Sequence, residues 1–172
     1  MRRFFLPLIV LIIFIAESIF VDLVHLPFAA EEQFLIPHFL LLTIIFITAY
    51  VNQSYGIIYG FIFGFLFDLV YTGVLGIYMF GYSLFAYLVS KALKPLHGSA
   101  LIILFLGLLS ICLLEFYVYG IHLLIGTTSM TLYSFTTLRL LPTLLLNLIA
   151  GILLIYPLKR FLVKVKIEQS DE

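Results

Sequence analysis

A carboxylate stands where an apolar helix has no use for one. Between Tyr55 and Gly81 the chain reads YGIIYGFIFGFLFDLVYTGVLGIYMFG, with Gly56, Gly60 and Gly64 at every fourth position and Asp68 next in the series. Residues four apart share a helix face, so the glycines predict a groove that another helix approaches closely, with Asp68 at its end. An ionised side chain at mid-bilayer costs roughly 2.5–3.5 kcal/mol on insertion scales, so Asp68 requires a partner, a proton or a wet pocket. Tyr71, Thr72 and Gly73 then break the helix before the next apolar run.

The rest of the chain is built from similar runs. Of 172 residues, 64% are hydrophobic and 10% charged, against about a quarter charged in soluble domains, which excludes a water-soluble fold. The reading is an all-α, polytopic integral membrane protein of one domain, 1–172, with six transmembrane helices near 4–23, 36–51, 55–71, 75–90, 99–121 and 135–158. Pro37 is read as lying in the first turn of the second helix, and 159–172 as a short polar cytoplasmic tail that frays. The first run, preceded by Arg2 and Arg3, reads as an uncleaved helix rather than a signal peptide. The segment from His25 to Gln33, with Pro27, Glu31 and Glu32, reads as an external loop, and His97 and Gly98 complete a basic loop.

Orientation follows from the basic residues. With six spans, Arg2, Arg3, Lys91, Lys94, Lys159, Arg160, Lys164 and Lys166 fall on one side and only Arg139, within a span, near the other. Both termini are therefore expected in the cytoplasm. Tyr50, Tyr55, Tyr71, Tyr78, Tyr133 and Tyr156 are expected to form the interfacial belt.

A rise of 1.5 Å per residue places Glu17, Asp68, Glu115 and Arg139 in the outer half of the membrane. For Asp68 and Arg139 two readings stand: a polar site open to the outside or to a partner helix, or an internal ion pair pinning the third helix to the sixth. For Glu17 and Glu115 they are a direct role or a hydrogen-bonded carboxyl between helices. The glycine face serves packing, within the chain or against a partner. No catalytic, cofactor or metal site is expected: His25, His38, His97 and His122 are scattered, Cys112 is alone, and no phosphate loop, G-x-S-x-G or H-E-x-x-H occurs. The balanced net charge argues against a nucleic-acid role, and the basic tail reads as an anchor for anionic lipids.

The run GFIFGFLFDLVYTGVLGIYMFGY, from Gly60 to Tyr82, resembles the third and fourth helices of the rod shape-determining protein MreD family. The likeness continues in RRFFLP at the start, AESIF at Glu17, DLVHLPF at His25 and CLLEFYVYG at Glu115, in the wording of Bacillus-type members. It implies a nonenzymatic, multi-pass component of the bacterial cell membrane that serves side-wall elongation and peptidoglycan synthesis. The partners it implies are MreC directly, and MreB, RodA and a class B penicillin-binding protein indirectly. On this reading Gly56, Gly60, Gly64, Asp68, Glu17, Glu115 and Arg139 form a partner-binding surface or intramembrane polar cluster. The alternative is a small-solute binding subunit of a transporter, since MreD is similar, at the level of six short helices, to the substrate-binding subunits of energy-coupling-factor transporters. Against that alternative, Leu8, Ile12 and Ala16 give the first helix only one small side chain for docking on a transporter scaffold.

Overall fold

The computed structural model describes residues 5–24, 34–95 and 99–170. Arg2, Arg3, the expected loop from His25 to Gln33, His97, Gly98, Asp171 and Glu172 lie outside the described residues. Among the described residues all regular structure is helical. In chain order the helices are α1 (Phe5–Val24), α2 (Phe39–Tyr50), α3 (Gln53–Phe67, extended by a wide turn at Asp68–Thr72), α4 (Ile77–Ala92), α5 (Ala100–Ile125) and α6. The last runs through Leu132–Ser134, a wide turn at Phe135–Leu140, and Leu141–Ser170. Three stretches are long and apolar enough to cross a membrane: Gln53–Thr72, Ala100–Ile125 and Leu132–Lys166.

α2 is the axis of the bundle. It packs against α1, α3, α4, α5 and α6, and Leu40 to Thr48 are all buried. Its sequence, FLLLTIIFITAY, is apolar around the whole circumference, as a helix enclosed on every side must be. At 12 residues it is only about 18 Å long, short of the roughly 30 Å hydrocarbon core. Residues 34–38, which lead into it, lie outside any helix. The expected helical turn at Ile36 and Pro37 is therefore corrected: both belong to this non-helical lead-in.

α3 and α4 form the most extensive pair. A Cβ on Gly60 would sit 3.0 Å from the Ser83 nitrogen, and one on Gly64 would sit 2.5 Å from the Tyr78 carbonyl oxygen. On Gly56 it would fall 1.9 Å from Thr48 Oγ1 of α2. The glycine groove is thus filled from within the chain, by α4 over most of its length and by α2 at its start. The turn between α3 and α4 uses Gly73 and Gly76, both at positive φ (65° and 106°), where a side chain is strained.

The tail also departs from expectation. α6 continues through Pro157 to Ser170, with Leu158, Leu162 and Val165 buried and Lys159, Arg160 and Lys164 exposed. Apolar positions at spacings of three and four keep one face on the core, so the segment extends the helix instead of fraying. Lys159 Nζ lies 5.9 Å from the centre of the Tyr50 ring, which puts the basic end of α6 beside the end of α2. Two tyrosines leave the expected belt: Tyr50 and Tyr78 are buried, Tyr78 against Phe67 at 4.4 Å between ring centres, while Tyr133 and Tyr156 are exposed.

Candidate functional site: a buried polar clasp at the start of α2

A chain that enters a bundle outside any helix carries backbone N–H and C=O groups with no helical partners, and inside a membrane each must be satisfied by protein. Here α6 supplies the partners. Pro142 has no N–H to offer the carbonyl four residues back, which is that of Leu138. That freed carbonyl accepts from Phe34 N at 2.9 Å. One turn on, Thr143 Oγ1 accepts from Ile36 N at 3.3 Å, and Asn147 Oδ1 accepts from His38 N at 2.8 Å. Asn147 Nδ2 donates to the carbonyls of Ile36 at 2.9 Å and Thr143 at 2.8 Å. Thr143 and Asn147, four apart and fully buried, act as a ladder for the segment.

α1 and α5 complete the clasp. Glu17 of α1 accepts from Leu40 N at 2.8 Å through Oε2, satisfying an N–H in the first turn of α2. Glu115 of α5 lies between two donors: His38 Nε2 gives a hydrogen bond to Oε1 at 2.7 Å, and Arg139 Nε gives one to Oε2 at 2.7 Å. His38 and Glu115 are fully buried, whereas Arg139 keeps a quarter of its side chain exposed. Arg139 sits in the wide turn at Phe135–Leu140, and such a turn re-aims side chains relative to a regular helix.

Of the residues singled out from the sequence, Glu17, Glu115 and Arg139 thus meet around the start of α2. Asp68 does not join them. It is fully buried at the end of α3 and caps α4 instead: Oδ2 accepts from Gly76 N at 2.8 Å and Met79 N at 3.0 Å, and Oδ1 from Tyr78 N at 2.9 Å. The considered pairing of Asp68 with Arg139 is therefore replaced by two separate arrangements, because both partners are already engaged. His38, Thr143 and Asn147 were not singled out. Their signal was present in polar residues four apart within an apolar run, and in a histidine directly after a proline.

The arrangement is suited to holding backbone, since most of its polar atoms are spent on neighbours; among the described residues Glu17 Oε1 and His38 Nδ1 are buried without a hydrogen-bond partner. At its edge one group stays accessible. There Arg139 lines a cavity of about 360 Å³ with Phe34, Tyr119, His122, Thr127, Thr128, Met130 and Phe135.

Comparison with known proteins agrees with the order of these features along the chain. The family model for rod shape-determining protein MreD matches residues 2–165. The rod shape-determining protein MreD of Bacillus subtilis (strain 168) is 49% identical over 172 residues, covering 100% of both chains. No solved structure matches. With a match that spans the helices and every residue of the clasp, the chain belongs to the MreD family of rod shape-determining proteins.

Proposed function

We propose that this chain is a nonenzymatic, multi-pass component of the cell membrane that binds the membrane helix of MreC and so helps to organise side-wall peptidoglycan synthesis. Membership of the MreD family carries the role in rod-shape determination. The observation that supports a scaffold is the clasp, in which buried polar side chains are committed to holding α2 and its lead-in. MreB, RodA and a class B penicillin-binding protein follow as indirect partners. Because the glycine groove is filled by α2 and α4, the partner's helix meets the lipid-facing surface of the bundle and not that groove.

The test is purification of the tagged full-length chain from its own cells in mild detergent. MreC is expected to co-elute in near-equal amount with wild-type protein. Absence of MreC above an untagged control overturns the proposal. A small solute retained one-to-one without MreC would point to the solute-binding alternative.

A further inference from the structure

The cavity beside Arg139 is lined by one guanidinium, an imidazole and two threonine hydroxyls. Arg139 spends Nε on Glu115, and its two terminal nitrogens have no acceptor among the described residues. Glu115, braced by His38 from behind, fixes the direction in which that guanidinium points. Thr127 donates its hydroxyl proton to the His122 carbonyl at 3.1 Å, so at 2.7 Å it accepts from His122 Nδ1. Thr128 Oγ1 accepts from Met130 N at 3.3 Å, and its own proton has no acceptor among the described residues. Among the described residues no carboxylate lines the cavity. One wall is apolar, with Tyr119 and Phe135 stacked at 4.2 Å, and Phe34 stands nearby.

We propose that this cavity binds a compact oxyanion of the phosphate class, held by the terminal guanidinium nitrogens of Arg139 with the Thr128 hydroxyl as a further donor. An oriented guanidinium that spends only Nε on Glu115 keeps its two terminal nitrogens for a doubly hydrogen-bonded anion. At about 360 Å³ the space also admits a short carbon body against the aromatic wall. The anion has two sources, a soluble phosphate compound outside the cell or the headgroup of an outer-leaflet phospholipid. The proposal does not rest on the function proposed above.

The experiment follows thermal unfolding of the full-length chain in neutral detergent, with inorganic phosphate replacing chloride at constant ionic strength. A saturable rise in the midpoint is expected. Arg139→Lys keeps a cation for Glu115 but removes the forked donors, so the apparent affinity falls at least about tenfold. If that variant does not fold, Thr128→Val carries the comparison and weakens binding. Competition by dihexanoyl phosphatidylglycerol at concentrations below those of inorganic phosphate assigns the lipid source. Its failure to compete assigns the soluble one, and both outcomes uphold an oxyanion site. The proposal is overturned if phosphate and the lipid both give no saturable shift, or if the folded variants bind as wild type does.

Discussion

Replacing Glu115 by alanine is expected to remove most of the folded protein from the membrane. The substitution strands two groups at once: His38 Nε2, fully buried, and Arg139, three-quarters buried. Breaking a buried ion pair from one side costs about 3–5 kcal/mol, which is comparable to the whole stability of a small domain. Removing both charges is a different matter, because apolar groups of similar volume need no partner. The double variant Glu115→Leu with Arg139→Leu is therefore expected to recover a large part of the lost abundance. Detergent-solubilised protein that runs as a single monodisperse peak reports the effect. Equal loss in the single and double variants would contradict the clasp as the cause.

Asp68 carries the second large effect by another mechanism. Its two oxygens serve three backbone N–H groups at the start of α4, and Asp68→Ala leaves all three without the acceptor. Each buried orphan costs about 1–3 kcal/mol, so the loss is several-fold in abundance at least. Asp68→Asn keeps one acceptor oxygen and turns the other into a donor facing an N–H. It is expected to fall between wild type and alanine. The midpoint of thermal unfolding should rank the three as aspartate, asparagine, alanine. An asparagine variant as stable as wild type that nevertheless lost its partner would show that Asp68 faces outward, contrary to its burial.

How far the sequence disclosed this differs from residue to residue. Hydropathy disclosed an all-helical fold of six helices, since apolar length is a property of each run alone. The glycine series disclosed a close approach but not its neighbour: periodicity fixes a face, and what covers that face depends on the packing of other helices. The acids were legible as costly and their pairing was not, because Glu115, His38 and Arg139 come from three separate elements. Pro37 misled for a physical reason. Proline suits a first helical turn and an extended strand equally, and the choice was made by Thr143 and Asn147 more than a hundred positions away. In the tail, the basic residues masked an apolar stripe at Leu158, Leu162 and Val165 that keeps the helix on the core.

The central claim is that the polar clasp and the glycine groove face inward, so that a partner meets only the outer faces of the bundle. Photocrosslinking in cells along α3 tests it most directly. Ile58, Phe61, Phe65 and Leu69 are exposed, whereas Phe63 is buried and Phe67 packs on Tyr78 and Tyr82. The account predicts that a photoreactive residue at Phe63 or Phe67 crosslinks only within the chain, and that any adduct with MreC arises from the exposed positions of α3 or of another helix. Adducts with MreC from Phe63 or Phe67, in protein of normal abundance, would contradict it.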